Sequence, residues 1–351
     1  MKVPFKKYPS IENSYQDAFI QKIMDNGCRN IAYCITEKVH GANAQVTYDM
    51  NTHEFTLGKR TDVLAADEKF YNLQACIEPY KPAIIKFAEE LNKPCNIIGQ
   101  KLLSVTIFGE VFGGSYPHPD VPADKTAVKV QKGVFYSPSN HWLAFDVGYM
   151  IAGSDNMYFL PSSLFIGISL SVGIPIVPIL GIAETLEEAL NYPCDGQSLV
   201  YEQYNLPKLE NNIMEGVVIR PQFKDIWFGN SRLILKHKND KFKEKQNEKH
   251  PVVTEKELPA NVKQAIEELS SFVTESRVQN VISHIGEITE KDIGRLIGLS
   301  SKDALEEYRK TFTTMDSMEK QEEKMVTKQL NTMMGAVVRK TVYDLLQWKK
   351  E

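Results

Sequence analysis

Between residues 31 and 241 the chain sets down short runs rich in Thr, Val, Ile, Tyr and Phe, each bounded by Gly, Pro, Asn or Asp. IAYCITEKV, AQVTYDM, SVTIFGEVF, HWLAFDVGYM, GVVIRP and SRLILKHK are the clearest, and they have the composition of strands. Two stretches depart from that pattern. Residues 78–92 carry Pro79 in the first turn and apolar Ile84, Ile85, Phe87, Ala88 and Leu91 at helical spacing, which predicts a helix. Residues 185–190 open with Thr185 and Glu188 in an S/T-x-x-E box, which predicts a second. Helices and strands do not alternate in a regular βαβ rhythm, so the segment reads as α+β with antiparallel sheets.

The pattern changes after Phe242. KFKEKQNEKHPVV is polar and charged and reads as a linker. Helical periodicity follows over 259–274, 275–284, 290–297, 302–311 and 316–349, with Thr289 facing Asp292 and Ser300 facing Asp303 as N-caps. In the last of these, Met325, Leu330, Met333, Met334, Val337, Val338, Val342, Leu345 and Leu346 form one apolar face, read as core. Two domains are expected: 1–243, mixed, and 244–351, all helical.

A length of 351 residues suits two domains, and 42% hydrophobic with 25% charged residues is ordinary globular composition. The formal net charge of −4 gives no global attraction to nucleic acid, so phosphate binding would need a local patch. One such patch is 232–249, with seven Lys/Arg against three acidic residues. Five scattered cysteines with no C-x-x-C pair argue against a disulfide framework or structural zinc and for a reducing, intracellular and cytoplasmic setting, with a viral or organellar one left open. The first residues lack the features of a signal or transit peptide. The longest apolar stretch, 160–182, is interrupted by Pro161, Gly167, Gly173, Pro175 and Pro178, a poor membrane span.

The chemistry lies in five short segments, each beside a strand run. They are Thr36-Glu37-Lys38-Val39-His40-Gly41-Ala42-Asn43, Phe108-Gly109-Glu110, Ala144-Phe145-Asp146-Val147, Glu215-Gly216-Val217-Val218-Ile219-Arg220 and Leu235-Lys236-His237-Lys238. In this order the set resembles the covalent nucleotidyltransferase superfamily of polynucleotide ligases and mRNA capping enzymes. The K-x-H-G-x-N form of the first segment, in place of K-x-D-G, resembles the bacteriophage T4 RNA ligase 2 family, which includes the kinetoplastid RNA-editing ligases. Gly58-Lys59-Arg60-Thr61 resembles a further element of that family, and the resemblance covers roughly residues 31–242.

The resemblance implies an ATP-grasp-like nucleotidyltransferase domain of antiparallel sheets flanked by helices, followed by a helical C-terminal domain that engages RNA. It implies an ATP-dependent RNA ligase that seals 3′-OH/5′-phosphate ends, with nicks in duplex RNA as the preferred substrate. ATP and Mg2+ or Mn2+ would be its cofactors, and neither a membrane nor an obligate protein partner is implied. Lys38 would attack the α-phosphorus of ATP and carry AMP as a phosphoramidate. That attack needs a neutral amine, and at an ordinary pKa of about 10.4 only around one lysine in a few thousand is neutral at pH 7. Lys236 and Lys238, alternating along one strand and so sharing a face, would supply nearby positive charge and hold the α-phosphate.

The remaining roles also come from the resemblance. Glu215 and Glu110 would ligate the metal, with Glu110 also near the ribose. Phe145 would stack on adenine, Glu37 and its backbone would read the adenine edge, and Asp146 is a lesser candidate beside Phe145. Asn43 and Arg60 would serve the ribose, the phosphates and the RNA termini, and His40 the departing pyrophosphate or the reacting 5′ end. Arg220, Lys224 and Lys241 are expected as RNA contacts, as is Arg60. A DNA ligase or guanylyltransferase is the alternative within the superfamily, disfavoured by His40 and by helices where an OB-fold would stand. An inactive RNA-binding or scaffold protein is the alternative of another class, and a kinase-like site lacks the G-x-G-x-x-G and H-R-D segments.

Overall fold

The computed structural model describes residues 3–243 and 258–350. The chain divides into two compact units, Met1–Asn239 and Asp240–Glu351. Most of the expected linker, and with it the last third of the 232–249 basic patch, lies outside the described residues.

Among the described residues the first unit holds, in chain order, the strands β1 (Glu12–Asn13), β2 (Tyr33–Glu37), β3 (Ala42–Asp49), β4 (Phe55–Lys59), β5 (Leu102–Ser115), β6 (Ser137–Ile151), β7 (Tyr158–Phe159), β8 (Ile179–Ala183), β9 (Gly216–Pro221), β10 (Trp227–Phe228), β11 (Ser231–Arg232) and β12 (Leu235–Lys238). One five-stranded sheet runs β1-β12-β9-β2-β8 and a second runs β4-β3-β5-β6-β7, while β10 and β11 form a small hairpin. Every pairing is antiparallel except β1 with β12. The α+β expectation is met.

The helices of this unit are α1 (Asp17–Asp25), α2 (Leu73–Ile77), α3 (Lys81–Ile97), α4 (Ser162–Val172) and α5 (Leu186–Leu190). The second sheet packs its apolar face on α2, α3 and α4, burying Phe87, Ile84, Ile107, Trp142 and Phe165. The first sheet packs on α1 and α5 through Ile23, Tyr33, Leu186 and Val217. Strand β2 is buried along its whole length, Glu37 included, so the residues that follow it start from a fixed position.

Several sequence expectations move. The helix expected over 78–92 becomes a 3-10 turn at Glu78–Tyr80 and then α3, which runs on to Ile97, with the unexpected short helix α2 just before it. Pro79 and Pro82 each remove a backbone donor, and the break falls between them. Helix α4 hides inside the 160–182 stretch because its residues are apolar nearly all round, leaving no period to read. It stops at Gly173, whose φ of 83° terminates a helix where a side chain would be strained.

The second unit contains α6 (Ala260–Ser270), α7 (Glu275–Ile285), α8 (Ile293–Thr311) and α9 (Lys320–Lys350). The two helices expected over 290–297 and 302–311 are one, and Ser300 is a buried residue in its middle instead of a cap. Leu296, Ser300, Ser301 and Ala304 are all buried in α8, and burial of that face outweighs the weak helix propensity of the serines. The Thr289–Asp292 capping box does form. Helix α6 ends at Ser270, four residues short of the expected 274, and Thr274 instead caps α7, accepting from the Arg277 N–H. None of the described helices is long and apolar enough to cross a membrane. All five cysteines are free thiols.

Candidate active site

The turn after β2 is held on both sides. The Lys38 N–H donates to the Gly216 carbonyl at the start of β9 (2.9 Å), and the His40 N–H donates to the Tyr136 hydroxyl (2.8 Å). Gly41 lies against β5 so closely that a Cβ would stand 2.3 Å from the Val111 carbonyl oxygen, a backbone atom that cannot step aside. The glycine of K-x-H-G is therefore dictated by packing, and its N–H donates to Glu110 Oε1 (3.1 Å).

Strands β9 and β12 bring the charged partners. Glu215 directly precedes β9, and Lys238 pairs with Gly216 across the ladder. Lys38 Nζ donates to Glu215 Oε2 at 2.7 Å, Lys238 Nζ lies 2.9 Å from Glu215 Oε1, and His40 Nδ1 lies 3.4 Å from Oε2. Burial by itself raises the Glu215 carboxyl, but Lys238, Lys38 and His40 together hold it well below the usual carboxylate range. The expected cationic surroundings of Lys38 are thus corrected in one respect. Its immediate partner is an anion, shared with Lys238, and attack requires that contact to be given up. Lys236 is half-buried two residues before Lys238 and pairs with Val218 in the ladder.

A second row of polar groups runs across the other sheet. Asn43 faces Glu110 in the β3–β5 register, and Ala44 faces Lys59, so Arg60 follows directly at the end of β4. Asn43 Oδ1 is buried with no hydrogen-bond partner. Burial pushes the Glu110 carboxyl up to about 8, with Lys38, the Gly41 N–H and Arg60 acting against it and Glu215 adding to it. Glu110 thus lies beside Lys38, Gly41 and Arg60, where a cation would stabilise its charged form. Burial lowers the Arg60 pKa, opposed by Tyr8 and Glu110, and its guanidinium lies 5.9 Å from the Tyr8 ring centre.

Phe145 owes its orientation to a bulge. Phe108 pairs with Asp146 and Gly109 with Ala144, so Phe145 is the extra residue that no partner faces. Gly109 permits this, since a Cβ there would meet Trp142 Nε1 at 2.3 Å. The half-buried Phe145 ring joins Tyr8, Phe108, Phe159 and Val218 in an aromatic and aliphatic cluster, with Tyr8 edge-on at 5.1 Å. A flat heteroaromatic base suits such a wall.

Three expected residues have other employment. The Glu37 carboxylate accepts from the Ser198 hydroxyl (2.7 Å) and the Leu199 N–H (2.9 Å) and is 1% exposed, so its side chain anchors the 198–199 segment and is not presented to a base. Arg220, expected on RNA, is buried with Nη1 3.0 Å from Asp146 Oδ1 and is closed to RNA. Asp146 also accepts from Arg232 and from the Tyr8 hydroxyl (2.7 Å), which ties the two sheets together beneath Phe145. Arg232, at the start of the basic patch, is therefore not part of a surface. Lys224 and Lys241 are exposed, the latter 5.6 Å from the Phe242 ring centre. Sequence reasoning missed Tyr8, Tyr136 and Ser198, whose partners all lie far along the chain.

Among the described residues no group of three or more His, Cys, Asp or Glu side chains converges as a metal cage. Glu215 is a buried carboxylate held in its charged form, and magnesium is often held by one or two carboxylates, with phosphate and water oxygens completing its shell.

The first sheet thus brings half-buried Lys38, buried Glu215 and buried Lys238 together at one place. The RNA ligase family model matches residues 31–238, more than half the chain, and the chain belongs to the RNA ligase family, whose members join RNA ends. A second family model, T4 RNA ligase 2 C-terminal, matches residues 256–336. The chain is similar to RNA-editing ligase 1, mitochondrial, of Trypanosoma brucei brucei, with 25% identity over 84% of this chain and 74% of that protein. It is 32% identical to RNA-editing ligase 2, mitochondrial, of the same organism over 41% of this chain and 37% of that protein. A solved Naegleria gruberi RNA ligase aligns with a TM-score of 0.45 and 16% identity over 68% of this chain and 57% of its own length.

Proposed function

We propose that this chain is an ATP-dependent RNA ligase that seals 3′-OH/5′-phosphate ends, nicks in duplex RNA foremost, with Lys38 as the nucleophile. The observation that carries the reading is the Lys38–Glu215–Lys238 arrangement, with ammonium groups at 2.7 and 2.9 Å on the two oxygens of one buried carboxylate. Phosphoryl transfer requires cations around the α-phosphate, and Lys238 stands beside the nucleophile to supply one.

The first step forms an N–P bond from Lys38 to the α-phosphorus, breaks the bond to pyrophosphate and gives up the amine proton. In the second, a 5′-phosphate oxygen of RNA attacks the same phosphorus, the N–P bond breaks and Lys38 is free again. In the third, an RNA 3′-hydroxyl attacks the 5′-phosphate and AMP leaves. Mg2+ or Mn2+, which Glu215 would hold with phosphate oxygens, supplies charge neutralisation at the phosphates. Lys238 and Lys236 then hold the α-phosphate, Phe145 carries the adenine face, and Asn43, Arg60 and Glu110 bind the ribose and RNA end. His40 sits beside Glu215 to meet the departing pyrophosphate.

The helical unit engages the duplex, and Lys224 and Lys241 remain as exposed phosphate contacts. Five free thiols fit action in a reducing compartment, cytoplasmic or organellar. The test is a nicked duplex with a labelled 5′-phosphate at the nick. The protein with ATP and magnesium should convert that phosphate to a phosphatase-resistant linkage on RNA strands, and Lys38→Ala should not. Sealing of DNA nicks in preference to RNA would assign the enzyme elsewhere in the superfamily.

A further inference from the structure

In the second unit, α9 carries a groove of about 810 Å3 whose charged lining is Lys320, Lys324, Lys328 and Arg339 with one acid, Glu323, and whose polar lining includes Thr327 and Asn331. The three lysines recur every four residues, so they stand about 6 Å apart along one face of the helix. That interval is comparable to the step between successive phosphates on a nucleic acid strand. None of the four cations is paired with an acid among the described residues. The acidic residues nearby are occupied: Glu323 lies 3.3 Å from Arg309 Nη2, and Glu322 accepts from Asn261 Nδ2 (2.8 Å) and the Glu319 N–H (3.0 Å).

The placement gains nothing for the fold. Lys320 and Lys324 lie in the first turns of a 31-residue helix, where the macrodipole disfavours positive charge. The apolar side of α9, with Val326, Leu330, Met334 and Val338, is buried in the core of this unit and needs no lysine opposite it. In a chain of net charge −4, four cations against one acid that is itself turned to Arg309, with threonine and asparagine donors between them, make a surface suited to an anionic polymer. We infer that this α9 groove is where the sugar–phosphate backbone of duplex RNA lies, with Lys320, Lys324, Lys328 and Arg339 each meeting a phosphate. The inference rests on the ligase reading and gives its helical unit a specific binding surface. Recognition there is by backbone and shape, without base readout.

The test uses the full chain with Lys324→Gln, Lys328→Gln and Arg339→Gln combined. All three are exposed, and glutamine keeps helix propensity close to that of lysine and arginine, so the melting temperature should stay at the wild-type value. Transfer of AMP to Lys38, which needs no RNA, should also be unchanged. Binding of a nicked RNA duplex should weaken at least tenfold at low salt. The slope of log affinity against log salt should become shallower by about one for each phosphate that no longer meets a cation, up to about three. Unchanged RNA affinity and slope, with AMP transfer intact, would overturn the groove assignment and leave the ligase reading standing. Loss of AMP transfer in the wild-type chain would strike the ligase reading itself.

Discussion

Asp146 is the most informative residue to perturb outside the reacting centre, because it is fully buried and compensates two arginines that are themselves nearly so. Asp146→Asn keeps an acceptor for the Tyr8 hydroxyl but leaves the Arg220 and Arg232 guanidinium charges without their shared anion. Removing one member of a buried ionic cluster costs about 3–5 kcal/mol, because the remaining charge is stranded in a poorly solvating interior. For a unit of this size each kcal/mol moves the melting temperature by about 2–4 °C, so a fall of roughly 6–20 °C is expected. Trp142, buried on the same strand, reports the transition by fluorescence. A pH series adds a second reading. Burial alone would raise the Asp146 carboxyl, but Arg232 and Arg220 outweigh it and hold the group below its ordinary 3.8. Its stabilisation is therefore present above about pH 4 and is lost as pH falls through the depressed value, a loss the asparagine variant lacks. Combining Asp146→Leu with Arg220→Met and Arg232→Met should recover most of the stability, since apolar replacement of a whole buried cluster is often neutral or better. A change under about 1 kcal/mol in Asp146→Asn would refute the reasoning.

Other consequences can be measured separately. Gly41→Ala forces a Cβ onto the Val111 carbonyl and should shift the Lys38 turn, lowering the rate of AMP transfer about 100-fold while circular dichroism stays native. Phe145→Ala should weaken ATP binding by about 1–3 kcal/mol, the usual worth of one aromatic stack on a base, read by calorimetry. Glu37 is raised from 4.5 to about 7 by burial, against hydrogen bonds from Ser198 and Leu199. A raised carboxyl contributes stability below about pH 4.5 that is lost as pH climbs through 7, a swing of about 3 kcal/mol. Glu37→Gln can keep both hydrogen bonds, so the difference in unfolding free energy between the variant and wild type should grow in the variant's favour over that window; a constant difference would contradict it.

What the chain disclosed beforehand follows from the range of each interaction. The K-x-H-G turn, the F-G-E strand and the strand ending at Lys238 were legible because they are contiguous segments in a recognisable order, with Lys236 and Lys238 in strand alternation; why Gly41 and Gly109 must be glycine appears only when Val111 and Trp142 are brought against them. Glu37 and Asp146 were legible as members of their segments but not as buried anchors, since their partners Ser198 and Tyr8 lie 161 and 138 residues away. Arg220 looks like a surface cation in its own segment and becomes an interior one only when β6 and β9 are brought together. Helix α4 was invisible for the opposite reason, being apolar on all sides and so carrying no periodic signal. The serines of α8 suggested a break locally and were overruled by packing.

The central claim is that one lysine amine, released from its carboxylate, takes up a nucleoside monophosphate. Intact-mass spectrometry of the purified chain after incubation with ATP and magnesium tests it directly. A mass increase of one adenylate, lost in Lys38→Ala and discharged on adding nicked RNA, is the predicted result. A mass that never changes, with the protein folded and ATP bound, would contradict it.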